Sequence, residues 1–487
     1  MSEDLIEDRS SGFIENAEEE NFQNKDDEYL HKNSTETDEN ILFKTDDDIF
    51  IRDKKPNEIQ IVSYFGFSND SKFSSIINLI SSAIGGGCLN YPSILSNIGL
   101  PLTLILFITV ILCVYYTLDL LRSFVVDTKY SSFGSITFDI LGDTWLKIYN
   151  ISSLIFYLSI EIIYLSQIYT IISKMIGFPD DKEFIFNIIY FLVSTILEIM
   201  IFLFFSKIQK IHLLSLVSCI FFIIVLILVI IQGTTNIINN EEEKKLTYDS
   251  LIKPTINNKI EFFFSIMSYI IEFVYGYINH NLYPTVLSNL KNIEQNNTKQ
   301  IQKISFGITS LFYFLLTFFG FFLRIPMSDI LVNYDNIETQ GIPIVTAFRI
   351  ILCLFLFTAL PIRFIVIKDN YTSIFKKKND YTFLQDLLAI FLCLFICNLF
   401  VYLTNISIIK FNIVTNFMQL FGGIFGVIIS FALPVVNYIG ANGKTKVKSI
   451  IGYILTGIFS VIGLLSVGYS IYGLFIQNKY DNNDKSK

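Results

Sequence analysis

Charged residues are scarce in this chain, at 16% of its 487 residues, and a soluble protein of this composition would have little charged surface to offer water. Its lysine and arginine residues form no basic patch of the kind that binds nucleic acid, so no nucleic-acid partner is expected. The sequence also shows no nucleophile–base pair, phosphate-binding loop or metal-hydrolase motif. These absences argue against an enzyme and against a bound cofactor.

Cysteine gives no sign of a metal centre or a disulfide framework. All six cysteines lie inside apolar runs. Only Cys393 and Cys397 are close in sequence, four residues apart on one helix face, and they lack the further ligands that a zinc site needs. We therefore expect buried free thiols and no metal.

Long apolar runs dominate the remaining sequence, which contains 48 Phe and 26 Tyr and has a mean hydropathy of +0.53. A helix needs about 20 apolar residues to cross a bilayer, and the sequence contains eleven such runs. They cover approximately residues 73–98, 101–124, 148–173, 184–206, 211–232, 261–289, 302–325, 343–367, 382–404, 412–438 and 447–476. The fold class predicted is an all-α integral membrane protein with one transmembrane domain, residues 73–476.

The two ends of the chain are polar. Residues 1–72 hold 20 acidic and 8 basic residues, and their composition predicts a disordered acidic tail. Residues 477–487 form a short polar C-terminal tail. Met1 leads directly into acidic sequence, so we expect the first span to act as the targeting signal. Lys and Arg near the span ends predict a cytosolic N-terminus; a plasma membrane and a vacuolar or lysosome-like membrane both remain open.

The first span carries three consecutive glycines, Gly85, Gly86 and Gly87, at mid-membrane depth, with Pro92 shortly after. Each interior glycine costs a helix about 1 kcal/mol relative to alanine, so the triplet favours a break. A break inside a membrane is tolerated where it lines a protein cavity. The amide groups that it exposes suit a carboxylate.

The sixth span is also interrupted, by Gly276 and Pro284, and it carries Glu272 and His280. Interrupted helices at corresponding positions in two halves of a chain indicate a transporter binding site. The first and sixth spans stand five apart. This spacing predicts a five-plus-five inverted repeat with one additional span.

Ionisable groups inside a membrane are costly and are therefore candidates for function. Four such groups could bind a proton or lie in buried hydrogen-bonded networks; they are Glu161, Glu198, Glu272 and His280. The ordinary pKa of histidine, about 6.5, makes His280 a candidate for tuning transport with pH, with Glu272 as its neighbour if the helix continued. Asp119 and Arg349 are interpreted as structural, and Gly422 with Gly426 as a site of close helix packing.

Four motifs in order along the chain resemble the amino acid/auxin permease family of the amino acid–polyamine–organocation superfamily. The motifs are Ala83-Ile-Gly-Gly-Gly-Cys-Leu89, Tyr275-Gly-Tyr-Ile-Asn-His280, Thr358-Ala-Leu-Pro-Ile-Arg363 and Gly422-Gly-Ile-Phe-Gly426 with Phe431-Ala-Leu-Pro434. The resemblance covers residues 73–476. It implies a LeuT-like fold and cation-coupled amino acid transport.

The resemblance also assigns residues to the site. The substrate carboxylate would meet Gly85–Gly87 beside Ser82, and the amine would meet carbonyl groups near Tyr275, Gly276 and Tyr277. Sodium-coupled members use polar groups matching Ser81 and Thr358, but they often carry Asn at the first position. This difference favours proton coupling or uncoupled transport over sodium.

The function expected is therefore secondary active transport of amino acids, with neutral ones favoured, by alternating access. The partners expected are the amino acid substrate and the lipid bilayer. A transporter-like sensor that signals through the acidic tail is the alternative. A channel is a third class, disfavoured because broken helices around a midplane site indicate alternating access. The particular amino acid, the direction of transport and any protein partner stay open.

Overall fold

The computed structural model describes residues 71–484 except 129, 177–182, 206–210, 240–250, 257, 291–292, 324–341, 376–382, 406–412 and 444–446. Across these residues the regular structure is helical. The acidic tail predicted for residues 1–72 lies almost entirely outside the described residues, so its disorder stays a prediction.

The helices are numbered here in chain order. Helices α1 to α5 are Lys72–Ala83, Tyr91–Ile98, Leu100–Thr128, Phe133–Leu141 and Asp143–Ile176. Helices α6 to α10 are Glu183–Phe205, Ile211–Asn239, Lys259–Gly276, Tyr283–Ser288 and Gln295–Phe321. Helices α11 to α15 are Ile342–Phe375, Phe383–Asn405, Ile413–Phe421, Leu433–Asn442 and Val447–Asp484.

Seven helical stretches in the described chain are long and apolar enough to cross a membrane. They lie in α3, α5, α7, α10, α11, the joined α13–α14 and α15. Apolar helical stretches in α6 and α12 are shorter, and the predicted first and sixth spans are each divided into pieces. The count of eleven spans therefore stays a prediction. Large aliphatic side chains such as Leu112, 64% exposed, cover the outer faces, as lipid contact requires.

Both predicted interruptions occur in the structure. Helix α1 ends at Ala83, a 3₁₀ turn covers Gly86–Asn90, and α2 begins at Tyr91 with Pro92 in its first turn. Helix α8 ends at Gly276, and α9 begins at Tyr283 with Pro284 in its first turn. Proline is tolerated there because the first N–H groups of a helix have no partner within it.

The two broken segments lie at the centre of the helix packing. Helix α1 packs against α7 and α10, and α8 packs against α13 and α15. The 3₁₀ turn at the first break is contacted by α5, α8, α10 and α13. These four helices therefore supply many of the side chains around the break.

Helices α13 and α14 are joined through two π-helical turns, Gly422–Gly426 and Ile428–Ala432. A Cβ placed on Gly422 would lie 3.0 Å from the Tyr275 ring, and one on Gly426 would lie 2.8 Å from Ile278. The predicted packing role of these two glycines is thus confirmed. Helix α15 continues to Asp484, past the predicted end of the last span and through most of the predicted polar tail.

Helix α15 approaches the first π-helical turn through a glycine pair. A Cβ on Gly423 would lie 2.8 Å from the carbonyl oxygen of Gly463, and a Cβ on Gly463 would overlap the carbonyl oxygen of Gly423. The obstacles are backbone atoms, which cannot rotate aside as a flexible side chain can. The two helices can therefore pack at this distance only while both positions lack a side chain.

We expect Gly463→Ala to destabilise the folded protein by about 1–3 kcal/mol, the usual cost of overpacking. The measurement is the thermal unfolding temperature of purified protein in detergent. Gly457→Ala in the same helix is the matched control, because a Cβ there meets nothing within 4 Å. Equal unfolding temperatures for the two variants would show that the helices do not pack this closely.

Candidate functional site

The first break is a short stretch of extended backbone. Ile84 (φ −67°, ψ 121°) and Gly85 (φ −144°, ψ 171°) leave the helical conformation, and the Cys88 amide then donates to the Gly85 carbonyl at 3.2 Å. The amide N–H groups of Gly86 and Gly87 precede that bond. They belong to the first turn of the new helical segment, where N–H groups have no partner within their own helix.

Three side chains cover this backbone closely. A Cβ on Gly85 would lie 3.0 Å from the Tyr164 hydroxyl of α5, and one on Gly87 would lie 3.2 Å from Met418 of α13. A Cβ on Gly86 would overlap the side-chain oxygen of Gln167, whose Nε2 donates to the Gly86 carbonyl at 2.8 Å. Side chains of α5 and α13 therefore pack directly against the glycine triplet and fill the space that a Cβ would take.

Tyr313 of α10 connects the two breaks. Its hydroxyl lies 2.6 Å from the carbonyl oxygen of Ala83, the last residue of α1, and 2.7 Å from that of Gly276, the last residue of α8. The tyrosine is fully buried. The hydroxyl carries one proton, so it donates to one of these carbonyl groups at a time, and its position between them places the ends of both broken helices against the same side chain.

Arg363 of α11 places a guanidinium group against the first break. It is 3% exposed; Nη1 donates to the Ala359 carbonyl at 2.5 Å and Nη2 to the Ile84 carbonyl at 3.4 Å. The guanidinium carbon lies 4.3 Å from the centre of the Tyr164 ring. A fixed positive charge therefore bridges the carbonyl groups of α11 and of the break.

Glu272 of α8 is buried and accepts two side-chain hydrogen bonds. Asn90, at the end of the 3₁₀ turn, donates to Oε2 at 2.7 Å, and Gln419 of α13 donates to Oε1 at 2.9 Å. The carboxyl group therefore joins three segments around the breaks.

In the predicted amine-binding region, the Tyr275 side chain lies at the first break and the Tyr277 hydroxyl bonds elsewhere. The Tyr275 ring lies beside Gly87, 3.5 Å from a Cβ placed there, and its hydroxyl lies 3.1 Å from that of Ser159. Tyr277 is fully buried and donates from its hydroxyl to Ser310 at 2.9 Å. Gly276 is required sterically, because a Cβ there would overlap the Tyr91 hydroxyl.

Glu272 was expected to neighbour His280 only if the sixth span were a continuous helix, and the helix is interrupted between them. His280 is fully buried, and its Nε2 lies 3.0 Å from the hydroxyl of Thr117 in α3. The Glu272 oxygens are instead engaged by Asn90 and Gln419. The break between Gly276 and Tyr283 rotates the chain, so residues eight apart do not share a helix face.

Glu161 and Glu198 belong to a second buried group, between α5, α6 and α12. Glu198 accepts from Asn398 Nδ2 at 2.8 Å, while both carboxyl oxygens of Glu161 are buried without a hydrogen-bond partner among the described residues. The two acids lie close enough to interact electrostatically, and Arg363 is the cation that acts on Glu161. Both carboxyl groups are thus buried in the same region of the helix packing.

Ser81 and Thr358, the predicted sodium ligands, and Ser82, predicted to bind the substrate, contact different neighbours in the described structure. Thr358 donates to the carbonyl groups of Leu354 and Phe355 in its own helix, and Ser82 donates likewise to Leu79. Ser81 is buried beside Cys219.

Sequence reasoning missed several residues that contact the breaks, among them Tyr164, Gln167, Tyr313, Arg363 and Met418. Arg363 belongs to one of the four family motifs but was given no role, although an arginine in the middle of an apolar span is a strong signal. A second signal was also missed. The helices that follow the breaks begin with Tyr91-Pro-Ser-Ile-Leu95 and Tyr283-Pro-Thr-Val-Leu287, a residue-level trace of the inverted repeat.

Solved structures similar to this chain are membrane transporters. A mutant manganese transporter from Eremococcus coleocola has a TM-score of 0.56 at 12% identity, covering 85% of this chain and 89% of that one. A Na⁺-coupled sialic acid symporter has a TM-score of 0.53 at 13% identity, covering 86% of this chain and 91% of that one. MhsT in complex with L-phenylalanine has a TM-score of 0.54 at 13% identity, covering 83% of this chain and 98% of that one. No curated protein sequence matches significantly. The fold is therefore LeuT-like, and at these identities the likeness concerns the fold alone.

The LeuT-like fold with paired breaks is the architecture of the chain, and the family shows its class, a multi-pass membrane transporter for a small molecule. The family model for transmembrane amino acid transporter proteins matches residues 68–476, and the chain belongs to that family. The resemblance found in the four sequence motifs is confirmed.

We expect Tyr313→Phe to reduce uptake at least tenfold with little loss of folded protein, because it removes the hydroxyl shared by the two broken helices and leaves the ring packing. The measurement is uptake of a transported amino acid, normalised to protein in the membrane. Tyr277→Phe is the control, since its hydroxyl bonds Ser310 away from the breaks. Similar uptake by both variants would contradict a linking role for Tyr313.

Proposed function

We propose that this protein carries amino acids, with neutral ones favoured, across a membrane by alternating access. The observation that carries this proposal is the meeting of the two breaks. Amide N–H groups of Gly86 and Gly87 lie at the start of one half-helix, while carbonyl groups of Tyr275 and Gly276 lie at the end of another. These two sets match the carboxylate and the ammonium that every amino acid carries.

The surrounding side chains support the same orientation. The Arg363 guanidinium and the Tyr164 hydroxyl both approach Gly85, and they favour a carboxylate at that end. The Gly276 carbonyl accepts from Tyr313 but has a second lone pair for an ammonium.

The walls beside the breaks favour an uncharged substrate side chain. Met418 and Tyr275 border Gly87, and the rings of Phe156 and Tyr275 lie 4.9 Å apart. The nearest acid on α8, Glu272, is already engaged by two amide groups. A cationic side chain would therefore lack an available partner at this end.

Alternating access requires the closed contacts at the first break to open. Tyr164 and Gln167 belong to α5, and Met418 belongs to α13, so α1 and α2 can be released by moving relative to these helices. Glycine and the extended residue before it absorb the change in backbone angles with little strain.

Purified protein in liposomes tests the proposal with a panel of labelled amino acids. We expect saturable uptake of neutral amino acids, lost at least tenfold in Gly86→Val, because its side chain takes the position of Gln167 and covers the N–H groups. Gly307→Val is the control, since a Cβ there meets nothing within 4 Å. Normal uptake by correctly inserted Gly86→Val, or transport of no amino acid in the panel, would refute the site.

We further propose that the coupling ion is a proton and that sodium has no site beside the first break. The Arg363 guanidinium already engages the carbonyl groups of Ile84 and Ala359, which are the kind of ligand that a sodium ion would take there. Like charges repel strongly in a buried region of low dielectric constant. A second cation at the same carbonyl groups is therefore disfavoured.

Glu161 is the residue that we propose for the proton. Its carboxyl group is buried without a hydrogen-bond donor among the described residues, near Arg363 on one side and Glu198 on the other. Ionised Glu161 attracts Arg363 and draws it from the Ile84 carbonyl. Protonated Glu161 releases the guanidinium to hold the break, so proton binding changes the restraint on α1.

We expect an imposed proton gradient, acidic on the entry side, to drive concentrative uptake, and a sodium gradient at fixed pH to drive none. Glu161→Gln should lose the proton-driven accumulation but keep exchange of labelled for unlabelled substrate. Sodium-driven uptake that Thr358→Ala abolishes would contradict the proposal. If His280→Gln loses proton-driven accumulation and Glu161→Gln keeps it, the proton binds at the Thr117–His280 contact instead.

A further inference from the structure

A polar depression lies where the end of α3 meets the beginnings of α10 and α15, away from both breaks. Its volume is about 840 Å³ including the part open to solvent. The residues that line it are Leu112, Tyr115, Tyr116, Asp119, Arg122, Gln295, Lys299 and Lys448. The transport proposal assigns no role to this place.

Three basic side chains face one acidic side chain in the depression. Asp119 accepts from Arg122 at 2.7 Å through one oxygen and from Lys448 at 3.3 Å through the other. Both of its oxygens are therefore used. Lys299 adds a third cation from α10, so the site keeps an excess of positive charge.

Arg122 also has a donor left over. The residue is 5% exposed, and its Nη1 is buried without a hydrogen-bond partner in the described part of the chain. A buried unsatisfied guanidinium nitrogen is costly. An anion in the depression would accept from it and balance the excess charge.

The face of α3 that leads away from the depression is apolar and exposed. Ile105, Ile108 and Leu112 follow one another at helical spacing and are 60%, 54% and 64% exposed. In a membrane protein such a stripe lies against acyl chains. The basic depression and the apolar stripe meet at Leu112, which belongs to both.

We propose that this depression binds the phosphorylated headgroup of an anionic phospholipid, whose acyl chains lie along Ile105, Ile108 and Leu112. The Lys/Arg distribution predicts that this end of the molecule faces the cytosol, where anionic lipids are concentrated. The headgroup joins α3, α10 and α15 through Arg122, Lys299 and Lys448. A free phosphate would satisfy the charge but not the stripe.

The test uses the full chain in lipid nanodiscs of phosphatidylcholine, alone or with phosphatidylinositol 4-phosphate, and measures lipid binding by native mass spectrometry and thermal unfolding. We expect selective retention of the anionic lipid and a higher unfolding temperature with it. Lys299→Ala, an exposed position that should not impair folding, should weaken retention about fivefold. Lys147→Ala is the control, because Lys147 is also exposed and pairs only with Asp143 among the described ion pairs.

Unchanged retention in Lys299→Ala, or an equal loss in Lys147→Ala, would overturn the proposal, since neither outcome fits a defined site. Inorganic phosphate and soluble inositol phosphate distinguish the source of the anion. If inorganic phosphate alone stabilises wild type but not Lys299→Ala, and the lipid adds nothing, the site binds a free anion. Binding is read without transport, so its failure is separate from that of the proposed function.

Discussion

A helix that breaks inside a membrane releases backbone groups that water cannot satisfy, and each group left without a partner costs several kcal/mol. In this protein the Tyr313 hydroxyl lies within hydrogen-bond distance of one such group from each broken helix, the carbonyl oxygens of Ala83 and Gly276, and donates to one of them at a time. The two breaks are therefore held face to face. The rest of the site follows from this arrangement, because it places amide donors and carbonyl acceptors in one small region.

Other polar side chains of the apolar spans also bind backbone groups that the breaks release, or hold the segments beside them. Arg363 and Gln167 bind carbonyl groups of the first break, and Glu272 holds the 3₁₀ turn through Asn90. Each contact fixes the closed conformation while leaving it reversible, since hydrogen bonds to side chains exchange more readily than helical ones. A carrier needs this balance: the breaks must be stable when empty and must release their partners when a substrate arrives.

The charges are arranged in separate groups with different surroundings. Arg363 lies beside the first break and acts electrostatically on Glu161, whereas Asp119 and Arg122 at the end of α3 meet Lys448 at the start of α15, where Asp119 is partly accessible. Burial strengthens electrostatic interactions, and the proton coupling proposed for Glu161 and Arg363 rests on that strengthening. The second group is suited to an external anion. The same residue types thus serve different purposes according to depth.

The sequence by itself determined the membrane class, the positions of the breaks and the family, because apolar length, consecutive glycines and in-chain motifs are local properties. It also contained the paired Tyr-Pro helix starts and Arg363 inside an apolar span, but composition and motifs alone assigned no role to them. Only the tertiary structure decided the contacts. Tyr313 lies 230 residues from Ala83, and Glu272 meets Gln419 across 147, so no local pattern could pair them. The break after Gly276 likewise separated His280 from Glu272, because helical spacing holds only while the helix is continuous.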